Sequence, residues 1–401
     1  MSGRLVVASS FPVDPPRGGG QRRIRGLYGA LADLGVAAEL VCLVDAGAPA
    51  RRVELAPGLV EVDVPKTPAH AEAERELERA AGTVVTDVAL ALLHELTPGY
   101  GEALAAAAHG ADAAVASHPY AHPALRAACD LPVIYEAHNV EADLKAPLLD
   151  ATEGGRGVLA DVERVEAACV AEAALVMACL DADVARLAER YALRAPVVVV
   201  PNGVDADAIR FTAPDARAAL QDALGLDPPP AVFVGSWHGP NLEALDAVLA
   251  AAAAAPDVRF LVVGSVGASA DPDAVPENVD VTGPVDDGFL RSILAVGHVA
   301  LNPMTSGSGT NLKMLDYAAA GLPIVSTRFG ARGLDLEPDV HYLAAEGDAL
   351  GPALAGFDAA AAAARVDAAR AHVAARFDWR AIAAGLAAAE PFRALAGTVV
   401  R

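Results

Sequence analysis

Short apolar segments alternate with helical segments along almost the whole chain, and this alternation constrains the fold more than any other feature. The segments "RLVVASS", "AAELVCLV", "ADAAVASHP", "LPVIYEAHN" and "PVVVVPNG" have the length and composition of buried strands. Apolar strands that alternate with helices form parallel sheets covered on both faces. The sequence therefore predicts a doubly wound α/β fold, with ligands at the carboxyl ends of the strands.

The pattern runs through the chain twice. After "VPNGVD" it restarts with "AVFVGS", "VRFLVVGS", "VDVTGP", "HVALNPM" and "LPIVST", again with helices between the strands. A chain of 401 residues is long enough for two domains. We predict two facing Rossmann-like domains, residues 1–200 and 201–378, with a hinge near Val199–Ala208 and a C-terminal helical segment at 379–401.

Composition excludes several classes of protein. A net charge of −22 argues against wholesale binding to nucleic acid, and 54% hydrophobic residues argue against disorder. The four cysteines have no metal-binding spacing, so we expect free thiols and a cytoplasmic location. No run of about 18 apolar residues predicts a membrane span, which leaves peripheral contact with the inner face of a membrane open.

A turn rich in glycine and serine joins a strand to a helix in the stretch "SGSGTNLKMLDYAAAGLPIVST". Gly307 and Gly309 permit close backbone approach and positive φ. The start of the following helix presents N–H groups and a partial positive charge to an anion. Lys313, one of only three lysines, adds a charge that the helix dipole disfavours, and a bound diphosphate resolves that conflict. The alternative is a helix capped by Thr310 or Asn311 with a solvated lysine.

The order of motifs resembles the "glycosyltransferase group 1" family of retaining glycosyltransferases, which have two facing Rossmann-like domains (the GT-B fold). "VVPNGVD", "VFVGSWHGPNLEA", "FLVVGS", "VDVTGPVDD" and "NPMTSGSGTNLKMLDYAAAGLPIVST" carry the resemblance in the second half. "FPVDPPRGGGQRRIRGLYGALADLG" and "VIYEAHNVEAD" carry it in the first half. The resemblance covers roughly residues 4 to 380 and implies sugar transfer from a nucleotide diphosphate sugar, with retention and without a metal.

The resemblance also implies roles for residues of the glycine-rich turn. Lys313 and the main-chain N–H groups at the helix start would stabilise the departing diphosphate, and Asp316 would hold the ribose. The candidates for binding the donor nucleotide are Gly20, Gly235, Ser236, Ser308, Gly309, Thr310, Asn311, Leu312 and Asp316.

The donor loop departs from the family pattern at several positions. Typical members carry two glutamates where this chain has Ser308 and Asp316, and an arginine where it has Ser236. They also carry a lysine a few residues later, for which "WHGPNLEA" offers no counterpart. Two expected cations are therefore missing, and we expect Lys313, helped by Arg328, to replace them.

In the first series, the loop "PVDPPRGGGQRR" and the segment "YEAHNVE" each follow a strand. The resemblance places His138 near the reacting sugar, where it contacts the sugar or supports the positive charge that develops at the anomeric carbon. A histidine bonded to a loop carbonyl is the structural alternative. The candidates on the acceptor side are Gly19, Gln21, His118, Glu136 and Asn139.

Four arginines of the same loop and helix, Arg17, Arg22, Arg23 and Arg25, predict a basic patch on an acidic protein. Such a patch suits an anionic acceptor, a phosphate or a membrane surface, and a solvated helix face is the alternative. No histidine or aspartate spacing predicts a metal site, so we expect no metal and no cofactor besides the donor substrate. The rival function is a non-catalytic member of the fold that binds a sugar nucleotide or scaffolds a partner.

Overall fold

The chain folds into two compact units, which a computed structural model describes over residues 3–307 and 309–397. Unit 1 comprises the chain up to Asn202 and again from Trp379 onward, and unit 2 is Gly203–Asp378. The sequence placed the corresponding divisions at 200 and 378. The C-terminal segment 379–401, which the sequence left as a separate helical piece, belongs to unit 1.

Unit 1 contains an eight-stranded sheet in the order β3-β4-β2-β1-β5-β6-β7-β8. Its strands are β1 (Arg4–Ser9), β2 (Ala37–Val44), β3 (Arg51–Ala56), β4 (Leu59–Pro65), β5 (Ala113–Ser117), β6 (Val133–Ala137), β7 (Leu175–Ala178) and β8 (Val197–Val199). All neighbouring strands are parallel except β3 and β4. The strand order reverses between β1 and β5.

Helices cover both faces of this sheet. They are α1 (Gly19–Asp33), α2 (Pro68–Ala81), α3 (Thr86–Leu93), α4 (Pro98–Ala108), α5 (His122–Ala128), α6 (Glu141–Leu149), α7 (Glu153–Glu172) and α8 (Asp181–Arg190). Successive residues of β1 point to opposite cores: Leu5 and Val7 pack with α1, whereas Val6 and Ala8 pack with α4 and α5. The predicted buried parallel sheet is confirmed for this unit.

One edge of the sheet differs from the prediction. We expected parallel strands only, but β3 pairs with β4 in antiparallel register. The physical reason is the two-residue connection between Ala56 and Leu59, in which Gly58 has φ +82°. Such a tight connection joins neighbouring strands only as a hairpin, because parallel strands need a long crossover.

Unit 2 contains a six-stranded sheet in the order β11-β10-β9-β12-β13-β14, and every neighbouring pair is parallel. The strands are β9 (Ala231–Val234), β10 (Phe260–Val263), β11 (Val279–Gly283), β12 (Val299–Asn302), β13 (Ile324–Ser326) and β14 (Leu343–Ala344). The helices are α9 (Pro214–Leu224), α10 (Gly239–Ala254), α11 (Asp287–Val296), α12 (Leu312–Ala320), α13 (Leu350–Ala355) and α14 (Ala363–Arg376). The strand order reverses between β9 and β12.

The C-terminal helices of unit 1, α15 (Trp379–Ala388) and α16 (Glu390–Leu395), extend the core beneath β1 and α1. The Trp379 ring lies directly on Gly26 of α1. A Cβ atom on that glycine would lie 2.2 Å from the indole Nε1. Gly26 is therefore needed for the close approach of the two helices.

No helix among the described residues combines the length and the apolar composition that a membrane span requires. The four cysteines are free thiols: Cys42, Cys169 and Cys179 are buried, and Cys129 is half-buried.

The contact between α1 and α15 gives a testable prediction about stability. We expect Gly26→Ala to lower the thermal midpoint of unit 1 and to cost roughly 2–4 kcal/mol, because the new methyl group overlaps a ring that cannot move without losing its packing. Calorimetry or chemical denaturation measures the change.

Gly29→Ala is the matched control, since a Cβ atom there lies 4.0 Å from Leu59 Cδ2, which is ordinary contact. We expect this variant to be neutral or stabilised by up to about 1 kcal/mol, because alanine is the better helix former. Equal stability of the two variants would contradict the packing of Trp379 on Gly26.

Candidate functional site

In unit 2 the loops that follow β9 and β12 lie where the strand order reverses. Loops that leave a parallel sheet at such a reversal turn to opposite faces and leave a crevice between them. One loop leads from Gly235 into α10, and the other leads from Asn302 through the glycine-rich turn into α12. The two stretches that the sequence singled out for donor binding are thus neighbours in unit 2.

The loop after β9 is held by its own side chains. The Asn241 amide donates to the Ser236 carbonyl oxygen at 3.0 Å, and the Trp237 N–H donates to Ser265 Oγ at 2.8 Å. Gly235 is in close contact with the loop after β10, since a Cβ atom on Gly264 would lie 2.2 Å from the Gly235 carbonyl oxygen. The helix α10 begins at Gly239, so Asn241 lies in its first turn.

The glycine-rich turn adopts the backbone conformation that its sequence predicts. Gly307 has φ +111° and Gly309 has φ +62°, both in the region that favours glycine. Ser308, a predicted donor-binding residue, lies outside the described residues. Asn311 is the N-cap residue of α12, but its side chain does not cap the helix, because its amide donates to the Gly330 carbonyl oxygen at 2.8 Å.

A second turn, Phe329–Ala331, supports the glycine-rich turn. Its Gly330 carbonyl oxygen accepts from both the Asn302 amide and the Asn311 amide, and its N–H donates to Thr327 Oγ1. A Cβ atom on Gly330 would lie 2.5 Å from Asn302 Nδ2, so the position admits only glycine. The start of α12 is therefore fixed through Asn311, while the buried Arg217 holds its end by donating to the Ala320 carbonyl oxygen.

The Lys313 ammonium lies in the first turn of α12. It donates to Asn241 Oδ1 at 2.8 Å and lies 4.6 Å from the centre of the Phe233 ring and 3.9 Å from Met304 Sδ. No carboxylate among the described residues pairs with this ammonium. Glu243 of α10 accepts a hydrogen bond from Ser306 Oγ in the glycine-rich turn. Burial lowers the pKa of Lys313 from 10.5 to about 7. The ammonium is thus stabilised only by neutral groups.

Asp316 follows Lys313 by three residues and lies half-buried in the second turn of α12. Thr310 and Leu312 are half-buried on either side of the cap residue. The roles predicted for these three residues stay predictions, because they concern a ligand.

Arg328, the arginine expected to assist Lys313, is exposed. Its main-chain N–H donates to Glu346, and burial raises the pKa of Tyr342 while the Arg328 charge opposes that rise. The guanidinium against the glycine-rich turn is instead that of Arg332, whose Nη2 would lie 3.4 Å from a Cβ atom on Gly307. Sequence reasoning missed Arg332 because it follows β13 by six residues, with an irregular turn between.

In unit 1 the loops after β1, β5 and β6, three neighbouring strands, bring Gly20, His118 and His138 together. The His118 and His138 rings have centroids 3.9 Å apart, and a Cβ atom on Gly20 would lie 3.6 Å from His138 Nδ1. His138 is buried, and its Nε2 lies 3.0 Å from Ser117 Oγ. Its partner is thus a serine hydroxyl instead of a loop carbonyl. His118 has φ +69°, a strained conformation for a residue with a side chain.

Glu136 supports His138 from within the sheet. Its carboxylate accepts from Arg23 Nε at 2.9 Å and from the Tyr28 hydroxyl at 3.0 Å, and it lies 3.7 Å from His138 Nε2. Burial opposes ionisation, but His138, Arg23 and Tyr28 outweigh it and hold the pKa of Glu136 well below its usual range. Burial and the neighbouring His118 lower the pKa of His138 to about 4, so that its imidazole is neutral at pH 7.

One prediction for unit 1 needs correction. Arg23 does not belong to a surface patch: it is buried, and besides Glu136 it binds the carbonyl oxygens of Val200 and Pro201.

Gln21, a predicted acceptor-side residue, forms hydrogen bonds within its own loop. Its amide oxygen accepts from the Arg17 and Gly18 N–H groups, and its amide nitrogen donates to the Pro12 carbonyl oxygen. Its role towards an acceptor stays a prediction.

Other predicted acceptor-side residues lie beside the histidines. Gly19 is the first residue of α1, next to Gly20. Asn139 follows His138 and is half-buried, and its amide points to Glu141 at 3.4 Å.

One group of possible metal ligands occurs among the described residues, namely Cys42, Glu61 and Asp63 in unit 1. The Arg51 guanidinium donates to both carboxylates, and Glu61 also accepts from the Val13 and Asp14 N–H groups. This ion pair anchors the loop that precedes α1, and burial raises the pKa of the Cys42 thiol well above its usual value.

Comparison with known families assigns both units. The model described as "Glycosyl transferases group 1" matches residues 228–355, and the "Glycosyl transferase 4-like domain" matches residues 18–203. The chain thus contains a glycosyl transferase 4-like domain in its first half and a glycosyl transferases group 1 domain in its second half. The family resemblance predicted from the sequence is thus confirmed.

Curated relatives match part of the chain. The D-inositol 3-phosphate glycosyltransferase of Mycobacterium sp. (strain KMS) is 32% identical over 225 residues, which are 53% of this chain and 47% of the relative. The phosphatidyl-myo-inositol mannosyltransferase of Mycobacterium tuberculosis (strain ATCC 25618 / H37Rv) is 28% identical over 155 residues, or 37% and 39% of the two chains. The matches therefore span less than half of the length of these relatives.

Solved structures confirm the GT-B fold. Sucrose-phosphate synthase from Thermosynechococcus elongatus aligns with a TM-score of 0.72 and 20% identity over 98% of this chain and 99% of that protein. Anabaena HepE, solved in complex with UDP and glucose, aligns with a TM-score of 0.66 and 16% identity over 96% and 98%. At these identities the similarity concerns the fold alone.

The histidine pair gives a testable prediction about protonation. We expect the His138 imidazole to titrate near pH 4 by NMR, because its folded-state pKa lies below the usual 6.5. The folded state then binds this proton more weakly than the unfolded chain, so stability is lost as pH falls from about 6.5 towards 4.

His118→Asn is the informative variant, because asparagine tolerates the positive φ of that position. Loss of the neighbouring imidazole should raise the pKa of His138. A His138 titration near 6.5, or one that His118→Asn leaves unchanged, would show that the two rings are not coupled.

Proposed function

We propose that the chain is a glycosyltransferase that moves a sugar from a nucleotide diphosphate sugar to a hydroxyl-bearing acceptor, with retention at the anomeric carbon and without a metal. The observation that carries the proposal is the Lys313 ammonium, half-buried beside the start of α12 with only neutral partners. A diphosphate at this helix start would supply the missing negative charge. Retention and metal independence rest on the family resemblance.

The position of Asn241 supports this assignment. Typical family members, by resemblance, carry a lysine about six residues after the glycine that ends the first strand of the second domain, and Asn241 stands six residues after Gly235. Lys313 reaches that place from the other loop, since its ammonium is hydrogen-bonded to the Asn241 side chain. The charge expected after β9 is therefore supplied from α12.

Residues of unit 1 would stabilise the reacting sugar. A neutral imidazole does not repel the positive charge that develops at the anomeric carbon, and the ionised Glu136 behind it favours that charge. The departing phosphate would take the proton of the acceptor hydroxyl, so that no side chain need act as the base. Sugar transfer then needs both units, whereas nucleotide binding needs unit 2.

The second candidate function is sugar-nucleotide binding without catalysis. Ser236 favours it, because this residue replaces an arginine that typical members use on the diphosphate. Release of nucleoside diphosphate from a panel of nucleotide sugars separates the two functions. The acceptor panel should include inositol phosphates, since the mycobacterial relatives are named for inositol-containing acceptors.

The proposed donor site can be tested by removing the lysine at position 313 and then placing a lysine at position 241. We expect Lys313→Met to weaken binding of nucleoside diphosphates by roughly 10- to 100-fold, because a charged hydrogen bond is lost while the apolar packing against Phe233 remains. Isothermal titration of UDP, GDP and ADP measures the affinity.

The rescue variant Asn241→Lys in the Lys313→Met background should recover most of the lost affinity, because it returns the ammonium to the same place from α10. The thermal midpoint without ligand serves as the folding control. Wild-type affinity in Lys313→Met would refute the proposed donor site.

The pH dependence of binding gives a further prediction. An anion binds the charged form of Lys313, whose pKa in the free protein is about 7. We therefore expect the affinity for nucleoside diphosphate to fall as pH rises from 7.5 to 9, by up to about tenfold per unit.

Lys313→Arg is the matched control, because a guanidinium keeps its charge throughout this range and should give a flat profile. A flat wild-type profile would mean that the ammonium is not part of the nucleotide site.

A further inference from the structure

The connection that carries His138 is short. Strand β6 ends at Ala137 and α6 begins at Glu141, so only three residues join them, namely His138, Asn139 and Val140. Val140 is the N-cap residue of α6, but its side chain has no oxygen with which to cap the helix. The N–H groups at the start of α6 therefore need an acceptor from another part of the chain.

Glu166 of α7 supplies that acceptor. Its Oε1 accepts from the Glu141 N–H at 2.8 Å, and its Oε2 accepts from the Ala142 N–H at 3.1 Å. Oε1 also accepts from the hydroxyl of Tyr135 in β6 at 3.0 Å, and Oε2 accepts from the Tyr191 hydroxyl at 2.8 Å. One buried carboxylate thus binds both the strand before the connection and the helix after it.

We propose that Glu166 is a positioning residue for the histidine site: by fixing both ends of the connection after β6, it holds the His138 imidazole beside Ser117 Oγ and the His118 ring. The consequence of this placement for sugar transfer rests on the proposed function. Glu166 acts through the connection, because its four hydrogen bonds go to the main chain of α6 and to two tyrosines.

The side chain of Glu141 extends the same network towards His118. Its Oε2 accepts from the Tyr120 hydroxyl at 2.9 Å, and the Asn139 amide points to its Oε1 at 3.4 Å. The Tyr120 ring is stacked with the His118 ring, with centroids 6.5 Å apart and planes at 12°. The start of α6 is thus linked to both histidines, to His138 along the chain and to His118 through Tyr120.

A carboxylate suits this place because, when ionised, it only accepts hydrogen bonds. All four partners of Glu166 are neutral donors. Burial raises the pKa of Glu166, and the two N–H groups of α6 and the Tyr191 hydroxyl oppose the rise. A glutamine has the same shape, but its amide nitrogen cannot accept, so one of the two bonds to the helix would be lost.

The alternative is that Glu166 contributes to the stability of unit 1 alone. Its replacement would then lower the thermal midpoint and leave His138 in its present environment. If Glu166 positions the connection, its replacement admits water to His138 and raises the pKa of the imidazole from about 4 towards 6.5, because burial is the main cause of the low value. Loss of the Glu166 charge by itself acts in the opposite direction, since a nearby anion favours the imidazolium.

Glu166→Gln should raise the pKa of His138 by about half a unit or more, measured by NMR titration of the full chain. Turnover, followed as nucleoside diphosphate released from a nucleotide sugar, should fall about 10- to 100-fold, because the imidazole is displaced from the reacting sugar. The affinity for UDP should stay within about twofold, because Glu166 lies in unit 1 and the proposed nucleotide site in unit 2.

Tyr191→Phe is the matched control. It removes one hydrogen bond from the same carboxylate but leaves both bonds to the N–H groups of α6. We expect it to change the pKa of His138 by less than about 0.2 unit and turnover by less than about twofold, whatever it does to the thermal midpoint.

Glu166→Asp keeps the charge but shortens the side chain by one methylene, so we expect an intermediate rise, and this variant decides the matter if Glu166→Gln does not fold. An unchanged or lowered pKa of His138, a value equal to that in Tyr191→Phe, or a rise with full turnover would overturn the inference and leave the proposed function standing. A rise in a protein whose wild type transfers no sugar would support the placement of His138 by Glu166 and refute the proposed function.

Discussion

The reversal of strand order in each parallel sheet is the constraint on which the arrangement of both sites depends. Loops that leave neighbouring strands on either side of a reversal diverge, so the helix starts and turns that they carry border a crevice. In unit 2 the reversal lies between β9 and β12, and it brings Asn241 and Lys313, 72 positions apart, to within hydrogen-bonding distance. In unit 1 it lies between β1 and β5, beside the two histidines. The side chains of each site are therefore brought together by the order of the strands and not by closeness in the sequence.

The two sites differ in how their charges are balanced. In unit 1 the buried Arg23 faces Glu136, and the buried Lys66 faces Glu74, so each cation has a carboxylate. In unit 2 the buried Arg217 donates to carbonyl oxygens, and Lys313 contacts an amide, a ring and a thioether. Buried charges are costly unless they are compensated. Unit 1 therefore has a neutral imidazole beside a carboxylate, whereas unit 2 has a cation that an anionic ligand would stabilise.

The sequence predicted most of the strands and the glycine-rich turn because both leave a local pattern: apolar runs in one case, and glycines at positive φ in the other. It also predicted the strand ends, and hence His138. It could not predict Arg332, because that residue reaches the turn only through the irregular path around Gly330. For the same reason we expected the nearer Arg328 to assist Lys313, although its charge acts on Tyr342. We predicted Arg23 on the surface because three other arginines stand near it in the sequence. Its position is set instead by the buried Glu136, which accepts a hydrogen bond from its guanidinium.

A charged residue that is absent from its usual position in a motif can be replaced by a charge that reaches the site from another position. Position by position, this chain lacks a lysine after β9, and that comparison favours a degenerate protein. In space the ammonium is present, because Lys313 Nζ lies 2.8 Å from the side chain that stands in the usual place. An ammonium that reaches the same point from α12 has the helix N–H groups as immediate neighbours, so the charge and the main-chain donors act on a ligand together. The lowered pKa of Lys313 is the energetic cost of holding that charge in place before the anion arrives. The binding of the anion removes this cost, which is why a site of this kind distinguishes an anionic ligand from a neutral one.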